Sequence, residues 1–410
     1  MAHILFILSG NISTTPRAVK NILTASQHYK VTVLKTNRHP AWDALDVQWQ
    51  KEHPVPAHSV HLGRQPFIPW LWGTLMHQLA LWLYPIFPKN TEMNALASQK
   101  VNSLLLQKAL KGVPRADFVI GHGGGALYPA YRYARRLGIP FAFDAEDYHP
   151  GEKMDDPKGH EKQRREHLLK TILPHAAFLT YASPLIGEYT LQLTGGRPQR
   201  HALLNNAFPA EEFAPPLPAS SNTLQLVWFS QNIDYGRGLE AVLQAAAAFK
   251  DHLKITLIGN AREPFREQWI KPHKHFVHCR EPLPQEELHR QLSRYDAGLA
   301  IELNKTDFNR QICWTNKLFA YAQAGLYILA TDTRGQVRFM EQHAVLGEVC
   351  GQGVDALGKA LGGLIARKEA LRQKAPARYN YAQKLAWEQE APKFLRMLEE
   401  TLSHQSAYAN

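Results

Sequence analysis

The chain has 410 residues, 45% of them hydrophobic and 20% charged, which is too long for one ordinary core and unlike a disordered or fibrous composition. Lys and Arg number 47 against 36 Asp and Glu, a formal charge of +11, which favours anionic partners such as phosphorylated small molecules or an acidic membrane surface. The basic residues are scattered rather than striped and no nucleic-acid motif accompanies them, so nucleic acid is not an expected partner. The three cysteines, Cys279, Cys313 and Cys350, lack C-x-x-C spacing and indicate neither a disulfide framework nor a zinc site.

The first expected element is a strand at residues 3–9, entered with no charged leader or small-residue cleavage site before it; the expectation is a cytoplasmic protein. A helix beginning near Pro16 leads to a second strand at 30–35, and later strands are expected at 118–120 and 141–143 with a helix over 126–137 between them. These strands are continuously apolar rather than alternating, the pattern of a parallel sheet covered on both faces.

Residues 66–88 stand apart. Trp70–Tyr84 is apolar except for a narrow stripe of Thr74, His77 and Gln78, and prolines at 66, 69, 85 and 88 bracket it. The stretch is shorter than the roughly 20 apolar residues of a membrane span. Two readings stay open: a helix buried in the first domain, or one lying in the membrane interface.

A Pro-rich polar stretch from Phe208 to Ser221 reads as a linker, after which the pattern restarts. Strands are expected at 224–230 and 254–259 with a helix over 238–250 between them, and the pairs 288–301 and 315–331 continue the alternation. The expected division is an acceptor-binding domain over 1–206, a linker over 207–222, a second domain over 223–380, and a final segment over 381–410 that packs back across the domain boundary. Trp387, Phe394, Leu395, Leu398 and Leu402 give that last segment its helical spacing.

The most informative block is Tyr295–Glu302, then Thr315-Asn316-Lys317 opening a short helix that ends at Gly325, then a strand from Tyr327. A helix start with its unpaired N–H groups, the positive end of its dipole and a lysine together make an anion site. A phosphate-bearing ligand is therefore expected at 315–317. Gly236 and Gly238 let the backbone approach a ligand at another helix start, and Arg237 between them suits a diphosphate.

In order and motif the chain resembles GT-B glycosyltransferases, specifically the large retaining family (family 4-like, or group 1) of bacterial polysaccharide and glycoconjugate synthesis. The residues that carry the likeness are the Gly10–Arg17 loop, Gly121–Gly125, Phe143–Glu152, Leu204–Phe208, Trp228–Gln231 leading to Tyr235–Glu240, and the 295–333 block. The resemblance implies an α/β fold of two doubly wound, Rossmann-like domains facing an interdomain cleft. It also implies a nucleotide-sugar donor held by the second domain, and a sugar or lipid-linked acceptor received by the first.

On that reading Gly236, Arg237, Gly238, Glu302, Thr315, Asn316 and Lys317 bind the donor, and cations stabilise the departing diphosphate with no cofactor or metal. His122, Asp144 and Asp147 are the catalytic candidates, orienting the acceptor hydroxyl or acting as its base. Gly10, Arg17, Gly123 and His149 lie on the acceptor or phosphate side, with Arg17 meeting the phosphates across the cleft. Glu146 completes an acidic cluster at a strand end. The Asp155-Asp156 pair resembles a metal motif only superficially. The charge and the 66–88 segment suggest a lipid-linked acceptor and contact with the cytoplasmic face of the inner membrane.

The chain departs from the family at two places. Ser230-Gln231 stands where many members have Gly-Arg, and Ile312 and Ala320 stand where they have the two glutamates of a Glu-x7-Glu signature. Unless Glu302 or Glu240 substitutes, the ribose lacks its usual carboxylate. A GT-B-shaped binding or scaffold protein without catalysis is the competing reading. A nicotinamide- or flavin-dependent oxidoreductase would need Gly-x-Gly-x-x-Gly after the first strand, and Gly10 stands there alone; a phosphatase or epimerase on the same pathway is a minor alternative.

Overall fold

The computed structural model describes residues 1–37, 40–64, 67–98, 100–154, 156, 158–218 and 221–408; Pro66, Asp155 and Ser220 lie outside them. The chain divides into two compact units. One comprises residues through Leu204 together with those from Ala391 on, and the other runs from Asn205 to Glu390.

The first unit alternates strand and helix: β1 (His3–Leu8), α1 (Pro16–Ser26), β2 (Lys30–Asn37), α2 (Pro40–Glu52), β3 (Ala57–His61), α3 (Phe67–Leu83), α4 (Thr91–Ser98), α5 (Lys100–Ala109), β4 (Phe118–His122), α6 (Gly124–Leu137), β5 (Phe141–Ala145), α7 (His160–Ile172), β6 (Phe178–Tyr181), α8 (Pro184–Leu193) and β7 (His201–Leu203). Every residue of β1, β4 and β5 is buried, so the apolar runs lie between two helical layers. Among the described residues seven strands form one sheet in the order β3-β2-β1-β4-β5-β6-β7, all parallel. Chain order reverses between β1 and β4, the place where such sheets open a ligand crevice at their C-terminal edge.

The second unit repeats the scheme with β8 (Leu224–Ile233), α9 (Leu239–Ala246), β9 (Leu253–Ala261), a short α10 (Glu263–Phe265), β10 (Val277–Arg280), α11 (Gln285–Leu292), β11 (Ala297–Ala300), α12 (Phe308–Ile312), α13 (Asn316–Gln323), β12 (Tyr327–Thr331), α14 (Arg334–Gln342), β13 (Gly347–Cys350), α15 (Val354–Ala366), α16 (Lys368–Gln373) and α17 (Ala375–Ala382). Six described strands run parallel in the order β10-β9-β8-β11-β12-β13, with the reversal between β8 and β11. Gly298 is tolerated in the middle of β11 because any Cβ there would run into the buried Tyr321 ring.

The Pro-rich stretch is more ordered than a loose linker. Phe208 and Phe213 are buried, His289 lies between them with ring centroids 4.3 and 4.6 Å away, and its Nδ1 is 2.6 Å from Glu212. The last helix, α18 (Trp387–Tyr408), contributes Phe394, Met397 and Leu398 to the core formed by β1, β2 and α1. Its first turn is held in the second unit, where Glu390 accepts from the backbone and side-chain N–H groups of Asn205.

The 66–88 segment is not a buried helix. Of α3 only Gly73 and Ala80 are buried, while Ile68 is 78% and Trp82 71% exposed. The inward stripe is made of small residues, so the bulky side chains are left outside. Among the described residues no helix is long and apolar enough to cross a membrane.

Candidate functional site

At the reversal in the first unit, β4 ends in His122 beside Leu8 of β1 and Asp144 of β5. Gly123 turns the chain into α6 with φ +78°, and a Cβ there would overlap the Ser9 hydroxyl; glycine is required on both counts. Gly124 opens the helix against His149, whose ring would lie 3.1 Å from a Cβ at 124. Gly10 needs no such licence, since a Cβ there would meet Thr14 and Thr15 only at 3.7 Å.

Two imidazoles therefore flank the start of α6. His122 is buried and stacked on Phe6 at 5.8 Å; its Nδ1 lies 3.3 Å from Asp144 Oδ2, an ion-pair approach short of a well-aligned hydrogen bond, and its Nε2 has no hydrogen-bond partner among the described residues. His149 Nδ1 sits 2.8 Å from Glu152 Oε1, Arg165 donates to Glu152 and to the His149 carbonyl, and Nε2 is again buried without a partner. Burial works to lower the His149 pKa, but the Glu152 carboxylate outweighs it and the net shift is upward. Despite its own burial, Glu152 is pulled down to about 2 by His149 and Arg165.

Asp144 and Arg17 differ from their expected roles. Arg17 is fully buried: Nε and Nη2 donate to the two Asp144 oxygens at 2.6 and 2.8 Å, and Nη1 donates to the Leu204 carbonyl at 2.6 Å. A guanidinium so enclosed has no donor fork left for a phosphate. Thr180 also donates to Asp144, and against the cost of burial the Arg17 charge and His122 hold this carboxyl well below its ordinary range. It is a poor proton acceptor and a good anchor for the His122 ring. Next along, Glu146 is pushed up to about 7 by burial and by the charge of Asp147, with Arg17 opposing; Glu146, which carried less weight in the sequence reading, is the carboxyl here that titrates near neutrality. Asp155 lies outside the described residues. Asp156 accepts from the backbone N–H groups of Lys158 and Glu161 and so caps the entry to α7. Among the described residues no group of three or more His, Cys, Asp or Glu side chains is placed to hold a metal ion.

At the reversal in the second unit, Gly236 and Gly238 both adopt φ above +70°. A Cβ at 238 would lie 2.6 Å from Ile301, which brings the 236–238 turn onto the end of β11. Glu240 Oε1 accepts from the Gly236 N–H at 3.2 Å, so this glutamate braces the turn. Arg237 is half-buried and makes no ion pair or hydrogen bond among the described residues. Burial first, and Arg310 second, lower its pKa, while Glu302 and Asp234 oppose them. Lys317 Nζ lies 3.1 Å from the buried Glu302 and 5.4 Å above the Trp228 ring. Thr331 donates to the Glu302 carbonyl and accepts from its N–H, fixing the strand end that carries this carboxylate.

Thr315 is the N-cap of α13 but makes no side-chain cap bond, and its hydroxyl has no partner among the described residues. Asn316 Oδ1 accepts from Asn206 Nδ2 at 2.6 Å. Lys317, paired with Glu302, and Arg237, which Arg310 repels and Glu302 and Asp234 attract, put cationic side chains at a helix start, an arrangement suited to a polyanion. Sequence reasoning missed Arg310, which is paired with Asp307 only at 3.8 Å, and the buried polar groups Thr333 Oγ1 and Gln336 Nε2, which lack partners among the described residues. An arginine in the short segment before the Thr-Asn-Lys turn was the available signal for the first; nothing marked the other two.

No protein-family model matches the chain, and no curated protein matches it in sequence. Solved structures do match it. HepE of Anabaena, in complex with UDP, aligns with a TM-score of 0.66 at 14% identity, covering 98% of this chain and 100% of that one. Sucrose-phosphate synthase of Thermosynechococcus elongatus aligns with a TM-score of 0.67 at 14% identity over 98% and 100%. A UDP-N-acetylglucosamine 2-epimerase aligns with a TM-score of 0.59 at 12% identity over 99% and 98%. The fold is GT-B: two parallel-sheet α/β domains of the kind found in these structures.

Proposed function

We propose that the chain is a metal-independent glycosyltransferase that binds a nucleotide-sugar donor on its second unit and passes the sugar to a hydroxyl of a sugar or lipid-linked acceptor. The observation that carries this is the Lys317–Glu302 pair at the start of α13 together with Arg237 on the glycine turn, close enough to feel both Glu302 and Arg310. Breaking the anomeric C–O bond leaves a nucleoside diphosphate whose new charge sits on the terminal phosphate. Fixed cations at that point stabilise the transition state more than the bound donor. The acceptor hydroxyl loses a proton as its oxygen bonds to the anomeric carbon. His122 is the proposed group beside that oxygen, its ring facing Asp144, which is itself held by Arg17; Asp147 and Glu146 follow on the same strand end. Retention of configuration, membership of the family 4-like group and a place in surface polysaccharide or glycoconjugate synthesis rest on the motif resemblance. The exposed α3 supports a peripheral position on the cytoplasmic membrane face. The UDP bound by HepE puts uridine nucleotides first among donors to try.

A second reading has one observation in its favour. Ile312 and Ala320, where the resembling family has its glutamates, are both fully buried, so no carboxylate takes their place there, and a fold that binds nucleotide without turning it over remains the alternative.

The test is a thermal-shift series with UDP, GDP, ADP and their glucose conjugates on wild type and Lys317→Ala, followed by measurement of nucleotide release. A ligand at about 100 times its Kd stabilises by roughly 2.7 kcal/mol. Stabilisation by one base, lost in the variant and joined by acceptor-dependent release of that nucleoside diphosphate, is the expected result. Binding without release supports the non-catalytic reading, and release of nucleotide from a donor whose sugar has been epimerised supports an epimerase. No shift with any nucleotide overturns the assignment.

A further inference from the structure

The helix α3 wears its apolar face outward. Gly73, Ala80 and Tyr84 are buried, and His77 between them hydrogen-bonds the Leu96 carbonyl at 2.8 Å. This small or polar stripe packs on the cluster of Ala80, Leu96 and Ala97. The opposite stripe, Ile68, Trp72, Leu75, Leu79 and Trp82, recurs at three- and four-residue steps, with Leu75 59% and Trp82 71% exposed. Ile86 and Phe87 extend it past the helix end, 61% and 50% exposed. A contiguous apolar surface of this kind marks a place of contact rather than a water-facing wall.

What it contacts is indicated by the charge beside it. A cavity of about 450 Å³ is lined by Trp72, Lys108, Lys111, Arg132, Tyr133 and Arg136. Lys108 Nζ lies 5.1 Å over the Trp72 ring and the Arg136 guanidinium 6.0 Å over Tyr133. One carboxylate, Glu92, shares the lining and is bound by Arg132. Four cations against one anion, joined through Trp72 to an outward apolar stripe, match a surface that is hydrocarbon on one side and phosphate on the other.

We infer that α3 lies in the interface of an anionic bilayer and that the cavity behind Trp72 takes the phosphate of a lipid headgroup. The inference deepens the membrane contact proposed above and does not depend on which nucleotide the second unit binds.

The test is sedimentation of the full chain with vesicles of phosphatidylcholine alone and of phosphatidylcholine mixed with phosphatidylglycerol. Wild type is expected to bind both, the anionic vesicles more tightly and less so as salt is raised. Leu75→Glu/Trp82→Glu should lose both. Each basic side chain near an anionic leaflet counts for roughly fivefold in affinity, so Lys108→Glu/Lys111→Glu should reduce binding to the mixed vesicles at least about tenfold and leave binding to phosphatidylcholine unchanged. All four positions are exposed, and the melting temperature of each variant checks that it folds. A retained nucleotide shift in the same variants keeps this test separate from the one on the second unit. Wild type that sediments with neither vesicle overturns the inference, as does equal affinity for both. A solution dimer lost in Leu75→Glu/Trp82→Glu without vesicle binding assigns the stripe to a second copy instead. Stabilisation by glycerol phosphate without vesicle binding assigns the cavity to a soluble phosphate and likewise overturns it.

Discussion

Arg17 and Asp144, 127 residues apart in the chain, form a two-pronged ion pair with N–O distances of 2.6 and 2.8 Å. Arg17 is fully buried and Asp144 is 1% exposed. The pair joins the start of α1 to the end of β5, and Asp144 faces His122 from the neighbouring strand. Because the guanidinium also serves the Leu204 carbonyl, the pair fixes three segments of the first unit at the edge where its candidate site lies.

Removing one partner strands a buried charge. Arg17→Met is expected to destabilise by about 3–5 kcal/mol, read by urea denaturation at neutral pH; a cost under about 1 kcal/mol would contradict the arrangement. The folded carboxyl is depressed, so its contribution is present above the ordinary Asp range near 4 and fades as pH falls below it. The gap between wild type and variant should accordingly narrow in acid.

Arg237 carries the opposite expectation. It is half-buried, lacks a partner among the described residues and is disfavoured by Arg310. Arg237→Ala should leave the ligand-free protein as stable or more so, while weakening nucleotide binding by about 10- to 100-fold, the size of a charge-assisted hydrogen bond. Melting curves with and without nucleotide read both effects from one sample. A variant that is destabilised yet binds normally would make Arg237 structural.

Glu146 is raised to about 7, so the folded state holds a proton that the unfolded chain releases near pH 4.5. Its burial is harmless below the unfolded value, costs stability progressively as pH rises from there, and reaches its full cost once pH exceeds the folded one. Glu146→Gln should therefore raise Tm at pH 8 and leave it unchanged at pH 4. An equal effect at both values would show that the carboxyl is not perturbed.

Gly123 combines positive φ with the Ser9 overlap. Gly123→Ala is expected to cost about 1–3 kcal/mol, and Ser9→Ala in the same chain should recover part of it but not all, since the backbone strain remains. Full recovery would mean that the contact alone sets the requirement.

Strand and helix order was legible because parallel strands carry unbroken apolar runs and glycines mark the turns into α6, α9 and β12. Local backbone features were also legible: the positive-φ turn at Gly236–Gly238 and the helix start at Thr315–Lys317 each lie within a few residues. Pairings across the sheet were not. Nothing local in a Thr-Pro-Arg turn and a Phe-Asp-Ala-Glu-Asp strand end says that Arg17 and Asp144 meet, and so an arginine read as a phosphate ligand is an internal brace. The orientation of α3 was hidden for a related reason. Periodicity showed an apolar helix, but which stripe turned inward depended on the small residues Gly73 and Ala80, which allow α4 to pack close.

The core of the first unit draws Phe394, Met397 and Leu398 from a helix that the chain reaches only after the whole of the second unit. The second unit is thus an insertion within the first, and in synthesis it is the one that finishes first. A polypeptide that has grown as far as Glu390 holds every strand of both sheets, yet the apolar surface of β1, β2 and α1 still awaits its last three large side chains. A nascent chain at that stage offers chaperones and proteases an unfinished N-terminal unit beside a complete second unit, and loss of α18 would leave it in that condition.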